Sequence, residues 1–120
     1  MNNYHRGHFA ELLACIYLRL KGYRILSRNY ITGRGSTAGE IDCVAAHKNV
    51  IVFVEIKQRT SLTNAAYAIT EAQKKRVIRG AESWLQHHCQ YHNYDIRFDA
   101  ILIVFPFNIR HIQNAWQKNE

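Results

Sequence analysis

The hydrophobic positions of this chain fall into two periods. In and just beyond FAELLACIYL, the residues Phe9, Leu12, Leu13, Ile16 and Leu20 recur at three- and four-residue spacing, the period of one helix face. No Gly, Pro or Asn interrupts that stretch, so residues 4–21 are expected to be helical. Gly22 stands where a helix ends, after Arg19 and Lys21 in the last turn. Residues 23–30, YRILSRNY, alternate as a strand does, and TGRGSTAG reads as a loop. Residues 39–46, GEIDCVAA, form a second strand. A tight turn at His47-Lys48-Asn49 leads to a third strand over 50–57, paired with the second as a hairpin.

A polar connection, QRTSLTN, precedes a second helix that starts near Thr70. Thr70 and Gln73 have the T-x-x-Q spacing of a capping box. Val77, Ile78, Ala81, Trp84 and Leu85 form its apolar stripe. HHCQYHNYD closes the helix into a loop, and IRFDAILIVF, residues 96–105, is a fourth strand ended by Pro106. The tail adds a short strand or a helical turn through Ile109, Ile112 and Trp116. The order helix, three strands, helix, strand predicts an α/β domain around a small mixed sheet.

Composition narrows the setting. At 120 residues, one domain over 1–120 is expected, with 110–120 as its tail. The net charge of +7 favours a polyanionic partner, nucleic acid first and a membrane surface second. Cys15, Cys43 and Cys89 are odd in number, far apart and without a CxxC pair, which reads as reduced thiols in a cytosolic core. MNNYHRGHF lacks the apolar core of a signal peptide, and no apolar run is long enough to span a bilayer. The expectation is a cytoplasmic protein with no membrane partner.

Five acidic residues then stand out. Glu11 is the only charge between Phe9 and Leu18, equally consistent with an edge residue of the helix and with a functional one. Glu40 and Asp42 open the second strand on one face. Glu55 interrupts the central apolar strand two residues before Lys57, so both project to the same face. A structural ion pair would explain them, yet such pairs often stabilise little relative to apolar replacements. Asp99 follows Arg97 on one strand face, which favours a local ion pair. Asp42 and Glu55 lie on hairpin-linked strands and can reach one point. Two carboxylates converging in an apolar setting repel unless a cation sits between them. Oxygen ligands suit Mg²⁺ or Mn²⁺. A metal beside Lys57 and a basic surface is what phosphodiester hydrolysis needs.

Five segments follow in order: Glu11-Leu-Leu-Ala-Cys-x-x-Leu18, Gly22-Tyr23-x-Ile25-Leu26-x-Arg28-Asn29, Gly39-Glu40-Ile41-Asp42, Val52-Phe53-Val54-Glu55-Ile56-Lys57-x-Arg59 and Arg97-Phe98-Asp99. That succession, roughly Arg6 to Val104, resembles the YraN-type family of small bacterial endonucleases. These are akin to the Holliday-junction resolvases within the PD-(D/E)xK, restriction-endonuclease-like superfamily. The resemblance implies an αβββαβ core with a mixed central sheet flanked by helices. It implies Asp42 and Glu55 as metal ligands, with the backbone carbonyl of Ile56 completing the shell. Lys57 would be the catalytic lysine and Glu11 the helix acid near the site. The substrate it implies is DNA, in a branched or structured form. Resolvase-like enzymes often act as symmetric dimers, so a homodimer is a further expectation. Two departures stand out. Gln73 occupies a position that is commonly Lys, with Lys74 and Lys75 following, and Ile41 rather than Pro precedes Asp42.

Arg28, Arg34, Arg59, Lys74, Lys75, Arg76 and Arg79 are candidates for a phosphate-tracking rim, against a plain solvated basic face. Tyr30 and Tyr67 are possible stacking residues, more simply explained as core or surface aromatics. His87, His88, Cys89 and His92 suggest zinc, but no second segment supplies paired ligands, so a solvated helix end is preferred. A metal-dependent nuclease is therefore the leading expectation. A non-catalytic nucleic-acid-binding module is the alternative, and an assembly partner in DNA processing a third.

Overall fold

The computed structural model describes residues 3–59, 69–104 and 108–118. In order these are α1 (Asn3–Leu20), β1 (Arg24–Thr32), β2 (Gly39–His47), β3 (Val50–Arg59), α2 (Glu71–Gln86), β4 (Asp95–Val104) and β5 (Asn108–Trp116). Short 3₁₀ turns lie at Gly35–Thr37 and Cys89–Tyr91. Tyr67, most of the QRTSLTN connection and Pro106 lie outside the described residues.

The strands form one five-stranded mixed sheet in the order β1-β2-β3-β4-β5. β1, β2 and β3 are antiparallel neighbours, β3 and β4 run parallel, and β5 returns antiparallel along β4. Parallel strands cannot be joined by a tight turn, and α2 lies between β3 and β4 in the chain. The tail forms a nine-residue strand, longer than its short apolar spacing suggested. Each sheet face packs its own core. Ile41, Ile51, Phe53, Phe98, Leu102 and Trp116 pack against Val77, Ala81 and Trp84 of α2. Val52, Val54, Ile56, Ile101 and Ile103 pack against Ala10, Ala14, Cys15 and Leu18 of α1.

Two caps set the helix ends. The Thr70 side chain accepts from the Gln73 amide and the Gln73 side chain accepts from the Thr70 amide, the capping box expected from the spacing. At the end of α1 the Gly22 amide donates to Arg19 and the Tyr23 amide to Leu18. This reciprocal pair requires Gly22 in the left-handed region, at φ +94.

The buried face of α1 differs from the expected stripe. Leu20, Leu12, Ile16 and Phe9 are 82%, 44%, 43% and 41% exposed. The face in contact with the sheet is Ala10, Ala14, Cys15 and Leu18. Apolar residues run nearly all round this helix, so spacing alone does not choose a side. The small residues win because they let helix and sheet approach closely. Cys15 and Cys43 are buried free thiols as expected, whereas the free Cys89 is exposed.

Candidate active site

β2 and β3 stay paired only from His47/Val50 to Cys43/Val54. Beyond that point β2 continues along β1 through Ile41, Glu40 and Gly39, while β3 continues along β4 through Glu55 to Arg59. The sheet therefore forks. A fork leaves backbone groups without ladder partners, and buried ones must be satisfied in another way. Here the Ile56 amide donates to Asp42 Oδ2 at 2.8 Å.

The fork opens a cleft of about 200 Å³. Glu40 and Asp42 line it from β2, and Glu55, Lys57 and Gln58 from β3. Because the sheet is split, both helices reach it: α1 through Gly7, Ala10 and Glu11, α2 through Gln73 and Arg76. The α2 side is fixed by a backbone contact. A Cβ on Gly39 would lie 2.4 Å from the Gly80 amide nitrogen, so only glycine permits this crossing. Arg79 reinforces it by donating to the Ala38 carbonyl at 2.9 Å.

The electrostatics of the cleft are set by crowded carboxylates. Glu55 is buried, at 8% exposure. Burial, followed by the charge of Asp42 and a hydrogen bond with it, pushes its carboxyl up to about 9; Lys57 opposes this only in part. Lys57 Nζ lies 3.6 Å from Glu55 Oε1, so the two share a face as expected. Half-buried Glu11 is also raised, first by burial and then by the Asp42 charge. His8, a hydrogen bond with Asn29, and Arg28 pull the other way. Asn29 is a site neighbour that composition and spacing did not single out. It adopts φ +53, a conformation that Asn tolerates better than most residues. Its place in Arg28-Asn29, beside a strand end, was the available signal.

Asp42, Glu55, Ile56, Lys57 and Glu11 thus meet in one cleft. The basic residues are more scattered. Arg28 is exposed and acts on Glu11, and Arg34 is exposed on the loop before β2. Arg59, at the end of β3, donates to its neighbour Gln58's carbonyl at 2.7 Å. Lys74 pairs with Glu71 at 3.0 Å and lines a different hollow, beside Ile69 and Trp116. Lys75 is exposed on α2. Arg79 is engaged with Ala38, whereas Arg76 reaches the cleft. Tyr30 is tied to Ser83 by a 2.8 Å hydrogen bond. The imidazoles of His87, His88 and His92 each contact a nearby backbone carbonyl through Nδ1. Arg97 and Asp99 form the expected ion pair, at 2.8 Å.

Among the described residues, no group of three or more His, Cys, Asp and Glu side chains is arranged to hold a metal ion. Of the four carboxylates that line the cleft, Asp42 and Glu55 converge at the fork beside backbone oxygen. That set suits a hard cation which keeps most of its water. Glu55 retains its proton well above the usual carboxylate range because it is buried beside Asp42. No helix among the described residues is long and apolar enough to cross a membrane.

The model of a family described as "Uncharacterised protein family UPF0102" matches residues 10–103. A UPF0102 protein of Nitrobacter winogradskyi is 43% identical over 113 residues, covering 94% of this chain and 92% of the relative. One from Bradyrhizobium diazoefficiens is 46% identical over 110 residues, 92% of this chain and 80% of the relative. One from Paramagnetospirillum magneticum is 42% identical over 113 residues, 93% and 87% respectively. The matched span runs from the first contact of α1 with the sheet to the end of β4, and takes in every strand that lines the fork. On those grounds the chain belongs to the UPF0102 family, which is the YraN-like family.

Proposed function

We propose that this protein is a metal-dependent endonuclease of the PD-(D/E)xK type, acting on DNA. The observation that carries the proposal is the pairing of Asp42 with Glu55 at the sheet fork, where burial and mutual repulsion push Glu55 up to about 9. In the metal-free chain the pair shares a proton, held by Glu55 in a hydrogen bond with Asp42, and a divalent ion would take the place of that proton. Lys57 is close enough to reduce the strain but does not remove it.

Asp42 and Glu55, with the carbonyl of Ile56, would hold Mg²⁺ or Mn²⁺. A bound divalent ion supplies a water of lowered pKa and offsets charge on the phosphate. The chain does the rest. Asp42 fixes the Ile56 peptide through its amide, and so orients one edge of the site. Lys57 places a compact positive charge beside Glu55, suited to steadying an attacking water or a phosphate oxygen. Arg76 adds a second cation from α2, and Glu11 closes the cleft from α1. The net charge of +7 supports a polyanionic substrate.

The test is a Mg²⁺/Mn²⁺ titration against linear, single-stranded, flapped and four-way DNA, with Asp42→Ala, Glu55→Ala and Lys57→Ala beside the unaltered chain. Metal-dependent cleavage that falls at least a thousandfold in each variant is the expected result. Cleavage without divalent metal, or surviving in all three variants, sinks the proposal. A second reading is a nucleic-acid-binding module that does not cut. It is favoured by the fact that, although Glu11 and Glu40 also line the cleft, no three acidic or histidine side chains among the described residues are arranged to hold a metal ion. That reading expects salt-sensitive DNA binding indifferent to Mg²⁺ and to Glu55→Gln.

A further inference from the structure

A second polar cleft, of about 220 Å³, lies toward the other end of the sheet. Tyr17 and Lys21 line it from the end of α1, Tyr23 from just beyond Gly22, His47 from the end of β2, and His111 and Gln113 from β5. It shares no lining residue with the fork. His47 lies five positions along β2 from Asp42, roughly 16 Å at about 3.3 Å per residue.

The walls are rings held in place. Tyr23 stacks on His47 with centroids 4.6 Å apart and planes 21° apart. His111 meets Tyr17 and Tyr23 edge-on, at 5.8 and 5.9 Å. Behind them sits the Asp99 carboxylate, 0% exposed. It accepts from Arg97 Nε at 2.8 Å and Nη2 at 2.9 Å, and from the Asn114 amide at 3.0 Å. His111 Nε2 lies 2.7 Å from it. Arg97 Nη2 also donates to the Tyr23 hydroxyl at 2.6 Å. Two of the rings are therefore fixed from behind before any ligand arrives, which lowers the ordering cost of binding.

We propose that this cleft binds a nucleotide, its base against the ring walls and its phosphate on Lys21. Tyr17 and His47 are the partly open rings on which a flat heterocycle can stack, while Tyr23, 5% exposed, and the buried His111 side chain back them. The volume falls below the roughly 300–1,000 Å³ of drug-sized sites, which fits one base rather than an extended ligand. Gln113 Nε2 donates to the Tyr23 hydroxyl at 3.5 Å, which leaves its second N–H and its carbonyl oxygen for a base edge. Lys21 is exposed, with its ammonium 5.6 Å from the Tyr17 centroid, and ammonium is a strong point donor to phosphate. Among the described residues no carboxylate lines the cleft, and Asp99 behind it is already paired. The same chemistry is presented by a free mononucleotide and by an unpaired nucleotide within a strand.

The test is an NMR titration of the ¹⁵N-labelled full chain without divalent metal. The probes are adenosine monophosphate, cytidine monophosphate, adenosine, inorganic phosphate and a short single-stranded oligodeoxynucleotide. The expected result is saturable shifts at Lys21, Tyr23, His47 and Gln113. Nucleoside and phosphate alone bind at least fivefold more weakly than the nucleotide. Lys21→Ala and Gln113→Ala, both at exposed positions, weaken binding at least fivefold without changing the melting temperature. Saturation by the monophosphates assigns a free nucleotide, and saturation by the oligonucleotide alone assigns a strand. An absence of saturable shifts at these residues with every probe overturns the proposal, as does binding indifferent to both substitutions. Neither result depends on cleavage at the fork, since metal is absent and the fork is unaltered.

Discussion

Asp42 stands in for a strand neighbour: its Oδ2 accepts the Ile56 amide at 2.8 Å where the pairing of β2 with β3 has already ended. The same side chain therefore holds the fork together and faces Glu55 across it. Asp42→Ala strips the buried Ile56 amide of its acceptor and is expected to cost about 1–3 kcal/mol. Asp42→Asn keeps a carbonyl oxygen for that amide and loses the charge. In urea melts, Asn should thus lie close to the unaltered protein and Ala well below it, while both lose divalent-metal binding. Equal stability of the two variants would show that the bond is dispensable.

Glu55 imposes a pH dependence whose sign follows from its direction of shift. Its carboxyl is raised from 4.5 to about 9 in the folded chain. Between those values the unfolded chain releases the proton and the folded chain keeps it. Without metal, stability is thus expected to fall as pH rises through this window. Glu55→Gln removes that slope, and at pH 8 it should melt several degrees higher than the metal-free parent. Metal affinity should rise with pH over the same window, since the ion and the proton compete for one carboxylate. Thermal melts with and without Mg²⁺ across pH 5 to 9 read both effects.

Asp99 has the opposite sign. Burial is the largest single influence and pushes its carboxyl up. The hydrogen bonds from His111, Arg97 and the Asn114 amide, with the Arg97 charge, together hold it below its ordinary 3.8. Its contribution is complete above that value and is lost as pH falls through the lower folded one. Asp99→Ala leaves Arg97 and His111 facing a void and is expected to cost about 3–5 kcal/mol. Asp99→Asn should cost less. Chemical denaturation from pH 7 down through the acid range separates the two, because the parent loses the advantage as its carboxyl protonates and the Ala variant has none to lose.

At the crossing of β2 with α2, Gly39→Ala forces a Cβ to within 2.4 Å of the Gly80 nitrogen. Backbone on both sides must then shift, at a cost of at least about 1–3 kcal/mol. Because Asp42 follows three residues later, metal affinity should fall together with stability. Retention of both would mean that the contact relaxes without moving the acid.

The elements were largely legible because their signals are local. The T-x-x-Q cap, the glycine after α1 and the apolar run of β3 each act within a few residues. The pairing of Glu55 with Lys57 and that of Arg97 with Asp99 follow from strand alternation alone. The packed face of α1 was not legible. Choosing Ala10, Ala14 and Cys15 over Phe9, Leu12 and Ile16 depends on how closely the sheet approaches, which is a property of other segments. The fork was equally hidden, since the point where two strands part is set by their outer partners, β1 and β4. For the same reason Arg76, one turn beyond Gln73, could not be told apart from Arg79, which engages the Ala38 carbonyl.

The Gly39–Gly80 crossing also decides how the cleft can accommodate a bulky substrate. A strand and a helix in backbone contact move as one body, so Asp42 and Arg76 keep a constant spacing. The opposite wall is different in kind: among the described residues nothing lies within 4 Å of where a Cβ on Gly7 of α1 would stand. A ligand that needs more room than the cleft has is therefore expected to gain it on the α1 side.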